Sequence, residues 1–297
     1  MDKDNEDIGF FRYLVAQHRL IALAYLVATV CYVAMKYCFP LPDFFSDSFS
    51  YIAAATVGMP VSYRPTGYSD FLRLAHTISV PGNSVVLMQY ALSFLGILFF
   101  FFSVDYLYRL QQKLRVIILL VLVANPLLVI QTNLISSDSL FCTVTIVWFT
   151  LCLWLVSKPS WWLLGLQLIV LYICFQIRYT AIFYPVVACI SFLISHGRLV
   201  FRVIGSLCTI LLVFVHVDRQ MDIIEKDFNV RIYSGFSGWQ LANNVLCYYN
   251  KISVDPGMLP TEETKRIDSC IKEHINDIRP FEQVNTEYLW DRHSPLK

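Results

Sequence analysis

Residues 84–103 read SVVLMQYALSFLGILFFFFS, twenty residues without a charged side chain. A helix of about 20 apolar residues is long enough to cross the hydrocarbon core of a bilayer. Six other apolar runs occur along the chain. We therefore predict membrane spans at about 20–38, 84–103, 115–131, 139–157, 161–177, 181–196 and 199–217.

The composition agrees with an all-α bundle of about seven membrane spans. Of the 297 residues 57% are hydrophobic and 15% are charged, whereas roughly 25% are charged in a soluble domain. The apolar run that begins near Ile21 is too long for a signal-peptide core and lacks a small-residue cleavage site, so we interpret it as a retained span. A net charge of +1 gives no global field that would recruit nucleic acid.

Lysine and arginine are distributed unevenly among the predicted loops. Cytoplasmic loops are enriched in these residues, which favours a cytoplasmic N-terminus and an outer loop at 39–83. The plasma (inner) membrane is suggested by the motifs described below and not by this charge count. Arg178 is an exception on the outer side. The cations that this orientation places in the cytoplasm are Lys3, Arg12, Arg19, Arg109, Lys113, Arg115, Lys158, Arg198 and Arg202.

The predicted spans divide the chain into a transmembrane domain, residues 1–217, and a polar extracytoplasmic tail, residues 218–297. Isoleucines at helical spacing in residues 261–278 (TEETKRIDSCIKEHINDI) predict a helix there. Seven of the nine cysteines lie in or beside apolar runs, where they act as small hydrophobic residues. Cys247 and Cys270 lie in the tail and can pair if it faces an oxidising space.

The first outer loop begins with a segment that suits a short helix at the membrane surface, residues 43–57. Asp47 and Tyr51 are four residues apart and are expected to share one face of this helix, with Asp43 one turn earlier on the same face. The side chains expected to face lipid are Phe44, Phe45, Phe49 and Ile52.

The same loop continues with Tyr63-Arg64-Pro65-Thr66-Gly67-Tyr68, in which proline and glycine predict a tight turn. A carboxylate such as Asp47 can accept a proton from a hydroxyl nucleophile, and an arginine can hold phosphate oxygens. Structural roles are the alternative. Asp47 can cap the helix, Arg64 can extend toward lipid headgroups, and Tyr68 can belong to an aromatic belt at the interface.

The order of these motifs resembles that of the GT-C superfamily of membrane glycosyltransferases, particularly bacterial proteins similar to dolichyl-phosphate-mannose mannosyltransferases. The most specific motif is the R-P-x-G-Y turn at 64–68. The other matching segments are Asp47–Tyr51 in a D-x-x-x-Y setting, Ser137-Asp138 after Asn125-Pro126, Arg178 at an outer span end, and residues 234–244.

The resemblance implies inverting transfer of a sugar from a polyprenyl-phosphate donor to a hydroxyl of a glycan, lipid or protein acceptor. It implies that Asp47 is the general base, that Tyr51, Arg64, Tyr68, Asp138 and Arg178 bind the substrate or its phosphate, and that Asp47 and Asp138 are candidate ligands for a divalent cation, Mg²⁺ or Mn²⁺. Arg178 is equally explained as a residue that extends to the interface at a tight hairpin.

Two departures from the family pattern leave other classes open. Family members usually have more spans, so this chain is expected to be a truncated or reduced form, and Ser69-Asp70 follows the turn where Pro and an apolar residue are usual. The alternatives are a non-catalytic membrane partner, an O-antigen polymerase or ligase, and a lipid or glycan transporter. A transporter would carry ionisable residues deep within its spans.

Overall fold

The computed structural model describes residues 9–58, 64–78, 82–249 and 253–278. These residues form helices and contain no β-strand; one isolated bridge joins Asp43 to Leu134. The helices are α1 (Phe10–Ala16), α2 (His18–Cys38), α3 (Ser46–Val57), α4 (Gly67–Ile78), α5 (Gly82–Tyr108), α6 (Gln112–Val123), α7 (Pro126–Gln131), α8 (Ser137–Ser157), α9 (Trp161–Ile177), α10 (Tyr184–Ile194), α11 (Leu199–Phe228), α12 (Gly235–Tyr249) and α13 (Glu262–Ile278).

The predicted all-α class and the apolar helices are confirmed. The predicted spans fall within apolar helical segments, except that the span predicted at 181–196 extends two residues past the helix end at Ile194. Five segments of the described chain are long and apolar enough to cross a membrane: His18–Cys38, Asn83–Tyr108, Gln112–Gln131, Ser137–Ser157 and Leu199–Lys226. Two are shorter, Trp161–Ile177 and Tyr179–Ile194. At 1.5 Å per residue, the 17 residues of α9 extend about 25 Å, less than the roughly 30 Å of a hydrocarbon core.

The third long segment is broken where the sequence contains Asn125-Pro126. Proline lacks the backbone donor that continues a helix, so α6 ends and α7 begins there. The Asn125 side chain accepts a hydrogen bond of 3.0 Å from the Leu127 amide and caps the new helix.

The first loop is more ordered than a continuous polar loop from 39 to 83. It contains α3, which begins at Ser46 and not at 43, and α4, whose first residues are the Gly67 and Tyr68 of the predicted turn. The last long helix, α11, also continues past the predicted end at 217, to Phe228.

The chain divides into two compact units, residues 1–220 and 221–297. In the first unit α5 and α8 pack together centrally. One hydrophobic cluster lies among α2, α5 and α6, a second among α8, α9, α10 and α11, and a third at the end of the bundle where α3 and α4 lie.

The second unit contains the predicted tail helix, which begins at Glu262 after Thr261. The Tyr249 hydroxyl donates a 2.5 Å hydrogen bond to Asp268, and Lys272 forms an ion pair of 2.9 Å with the same carboxylate. Cys270 is exposed, and the side chain of Cys247 lies outside the described part of the chain, so their pairing stays a prediction.

Close packing between α10 and α11 depends on Gly205. A Cβ at this position would lie 2.5 Å from a ring carbon of Phe192, which is completely buried and has no room to turn. Such overpacking costs about 1–3 kcal/mol. We expect Gly205→Ala to lower the free energy of unfolding in detergent micelles by about 2 kcal/mol.

Gly165→Ala is the matched control, because a Cβ at this helical glycine meets no atom of the described part of the chain within 4 Å. Alanine is favoured over glycine in helices by up to about 1 kcal/mol, so this variant should keep or gain stability. Equal losses in the two variants would contradict the packing argument.

Candidate functional site

Asp47 and Arg64 form an ion pair at the surface of α3. Asp47 lies in the first turn of the helix, and the Arg64 side chain is 11% exposed. The guanidinium also lies 4.8 Å from the centre of the Tyr51 ring, which confirms that Asp47 and Tyr51 share a face. Burial opposes the charge on Arg64, but its hydrogen bonds to Asp47 and Tyr51 and the negative charge of Asp47 outweigh this effect and raise the pKa of the guanidinium.

Asp138 and Arg178 form a second ion pair, with 2.6 Å between Oδ1 and Nη1. Asp138 lies in the first turn of α8, where the Ser136 side chain caps the helix and also donates a hydrogen bond to the other carboxylate oxygen. Arg178 follows the end of α9 and lies 5.8 Å from the centre of the Phe141 ring. Both charged side chains are 36% exposed.

Two tyrosines connect these ion pairs. The Tyr51 hydroxyl forms a 2.8 Å hydrogen bond with Ser137, the neighbour of Asp138. Its ring packs edge-on against Tyr68, with 4.9 Å between ring centres. Burial is the largest of the causes that raise the pKa of Tyr68, and the neighbouring Tyr51 and Asp138 add to it. The Tyr68 hydroxyl donates a 2.9 Å hydrogen bond to Gln89.

The glycine of the R-P-x-G-Y motif is required by close packing. A Cβ at Gly67 would lie 2.7 Å from the carbonyl carbon of Gln176 and closer still to its oxygen. This contact is with backbone, which cannot move aside as a flexible side chain can. Glycine therefore allows α4 to begin directly against the last turn of α9, two residues before Arg178.

The six site residues predicted from the sequence thus lie together at one end of the bundle: Asp47, Tyr51, Arg64, Tyr68, Asp138 and Arg178. The structural alternatives for two of them, Asp47 and Tyr68, are wrong. Ser48, not Asp47, accepts the capping hydrogen bond from the Phe45 amide. Arg64 is 11% exposed and pairs with Asp47, and Tyr68 is completely buried rather than part of a belt.

The neighbouring carboxylates have separate surroundings. Asp43 precedes α3 instead of lying on its face, and its carboxylate accepts a 3.2 Å hydrogen bond from Asn133. Asp70 forms an exposed ion pair with Arg73 at 3.2 Å. Tyr63 lies outside the described residues. Asp47 is therefore the loop carboxylate that contacts the motif arginine.

Sequence reasoning missed three polar residues that organise this end of the bundle. The Gln89 side chain accepts from Tyr68 and donates to the carbonyls of Thr132 and Leu134 at 2.9 and 3.0 Å. Ser48 donates to the Ile135 carbonyl at 2.6 Å, and Lys36 donates to Asn133 at 3.1 Å. A glutamine within the otherwise apolar stretch 84–103 was the available signal for the first of them.

The arrangement does not fit a divalent cation. Such an ion needs several oxygen ligands. The carboxylates of Asp47 and Asp138 are each already paired with an arginine. The described residues contain no group of three or more His, Cys, Asp or Glu side chains that could hold a metal. A crevice between α3 and residues 64–69 has a volume of about 10 Å³, which is roughly the space of one water molecule.

We expect Gln89→Leu to lower the free energy of unfolding by about 3 kcal/mol, because it leaves the Tyr68 hydroxyl and two carbonyl groups without their partner. Gln167→Leu is the matched control, since Gln167 is equally buried but its amide atoms have no hydrogen-bond partner among the described residues. It should be neutral or stabilising. Denaturation of both variants in detergent tests the prediction, which similar losses would refute.

Comparisons with protein-family models, with curated proteins and with solved structures find no match to this chain.

Proposed function

We propose that this protein is an integral membrane glycosyltransferase that moves a sugar from a polyprenyl-phosphate donor to a hydroxyl acceptor with inversion. The observation that carries the proposal is the convergence of two aspartate–arginine pairs on the buried Tyr51 and Tyr68. The paired residues come from three segments, 47–68, 138 and 178. A carboxylate base and two arginines beside aromatic rings are the groups that this reaction needs.

The Asp47–Arg64 pair gives the proposed reaction a way to begin. A phosphate group on the donor competes with the Asp47 carboxylate for the Arg64 guanidinium, because both anions bind this cation through their oxygens. Once Arg64 contacts the phosphate, Asp47 is available as a base. The 34% exposure of its side chain leaves it accessible to an acceptor.

The proposed transfer is a single displacement. The acceptor oxygen attacks the anomeric carbon while its proton passes to Asp47. The bond between that carbon and the phosphate oxygen breaks, and the oxygen leaves with the bonding electron pair. Arg64 balances the charge that develops on the leaving phosphate. Arg178 contributes to the same balance, and Asp138 orients the acceptor. No step is assigned to a metal ion.

We further propose a seven-span topology with the N-terminus in the cytoplasm and the site on the outer face of a plasma membrane. The two shorter apolar segments are counted as spans alongside the five long helices. Arginine and lysine accumulate at the end of the bundle opposite the site, which supports this orientation. In the five long segments the arginine, lysine, aspartate and glutamate residues lie near the helix ends, which does not favour a transporter.

Labelling with a membrane-impermeant maleimide tests this topology. Single cysteines are introduced at Asp70, near the site, and at Lys113, at the opposite end, with the exposed native cysteines replaced by alanine. Both positions are exposed on the surface. In intact cells we expect labelling at position 70 only, and at position 113 after lysis. The reverse pattern would overturn the orientation.

The activity test compares Asp47→Asn with the wild type on radiolabelled polyprenyl-phosphate sugars. Loss of the base should lower the transfer rate about 10²- to 10⁴-fold. Asp70→Asn is the control, because that carboxylate forms a separate exposed pair with Arg73, and it should transfer at the wild-type rate. Unchanged transfer by Asp47→Asn would exclude it as the base.

A non-catalytic membrane partner is the second candidate function. It is favoured by the pairing of both aspartates with arginines and by the small size of the adjoining crevice, which has room for about one water molecule. Donor binding by the wild type without transfer to any acceptor would support this candidate.

A further inference from the structure

The end of the first unit opposite the candidate site is assembled from four segments, 9–20, 104–118, 154–162 and 193–205, which we call the basic end. Arg115 donates a 2.7 Å hydrogen bond to Gln17. Phe10 packs against Tyr106 and Trp154. Ser195 donates to the Leu155 carbonyl at 2.6 Å. These contacts bring the four segments together at one face of the bundle.

The basic end contains a single carboxylate within these four segments, and that carboxylate is buried. Asp105 is 4% exposed, pairs with Arg115 at 2.6 Å and accepts a hydrogen bond from Tyr13. Asp105 does not neutralise the charges of the other arginines and lysines at the basic end. Those exposed on the surface are Arg12, Arg19, Arg109, Lys113, Lys158 and Arg198.

The candidate-site end has a balanced charge by comparison. Its arginines and lysines are matched by aspartates in the surrounding segments, and Arg64, Arg73 and Arg178 each form an ion pair. The positive charge of the basic end is therefore a property of one face of the protein, since the net charge of the whole chain is only +1.

Apolar side chains lie near these cations, and they indicate which class of partner binds the basic end. Phe11 and Val15 are exposed on α1, and Trp161 and Trp162 are 57% and 69% exposed at the start of α9. Tryptophan is typical of the boundary between lipid and water. An acidic protein or a nucleic acid would leave these rings in water, whereas an anionic lipid places phosphate at the cations and hydrocarbon at the rings.

We propose that the basic end binds the phosphate groups of anionic lipids. Clustered lysine and arginine at a membrane surface attract such lipids, by about 1 kcal/mol for each cation. The competing occupant within the chain is the acidic stretch at residues 2–7, DKDNED, which lies outside the described residues. The proposal does not depend on the transferase activity.

The test titrates the purified protein in non-ionic detergent with phosphatidylglycerol or phosphatidylcholine and follows thermal unfolding by tryptophan fluorescence. Phosphatidylglycerol should raise the melting temperature of the wild type, and phosphatidylcholine should not. Lys113→Gln and Arg198→Gln should each weaken the apparent affinity for phosphatidylglycerol about fivefold. Arg73→Gln, which removes one exposed positive charge at the other end, is the matched control and should leave the affinity unchanged.

Equal stabilisation by the two lipids would overturn the proposal, as would an equal loss of affinity in Arg73→Gln and Lys113→Gln. Deletion of residues 2–7 gives a further arm. An unchanged affinity supports the lipid as the occupant, whereas a tenfold or greater rise would assign these cations to the acidic stretch. The melting temperatures without added lipid report whether each variant folds.

Discussion

The hydrogen bonds of the buried Gln89 side chain hold together the end of the bundle that carries the candidate site. One oxygen and two N–H groups bind the Tyr68 hydroxyl and the carbonyls of Thr132 and Leu134. Without these hydrogen bonds, three polar groups would be left without a partner in an apolar environment. Each buried polar group without a hydrogen bond lowers the free energy of unfolding. The hydrogen bonds of Gln89 therefore hold α4, which follows Arg64, against the segment that leads into Asp138.

The arrangement of charged side chains differs between the two ends of the bundle. At the site end, Asp47 and Asp138 each meet an arginine, so that partly buried charges are compensated while both carboxylates retain about one third of their exposure. An ion pair of this kind gains little net stability because desolvation offsets the attraction, but it places charged groups in defined positions. At the basic end the only carboxylate of the four segments is buried, and the exposed charges are all positive.

The proximity of the candidate-site residues was partly predictable because short motifs specify local geometry. The four-residue spacing of Asp47 and Tyr51 places them on one helix face, and Gly67 allows a close approach of two backbones. The contacts that these and neighbouring residues make with distant segments of the chain were not predictable from the sequence. Asp43 looked equivalent to Asp47 by spacing, yet the chain is extended at that point and pairs with residues 133–135. Helix α4 was read as a turn because proline and glycine dominate its first residues.

The sequence by itself determined that the chain is helical and apolar enough to enter a membrane. Runs of about 20 uncharged residues have no other way to satisfy their backbone hydrogen bonds in hydrocarbon. It also indicated which side chains are candidates for a functional site. Only the tertiary structure decided that Arg64 binds Asp47, that Arg178 binds Asp138 and that Gln89 connects the segments around both pairs. The two ion pairs and the Tyr68–Gln89 hydrogen bond join residues that lie 17 to 40 positions apart, and no local preference acts over such distances. They meet because the packing of α3, α4, α5, α8 and α9 brings them together.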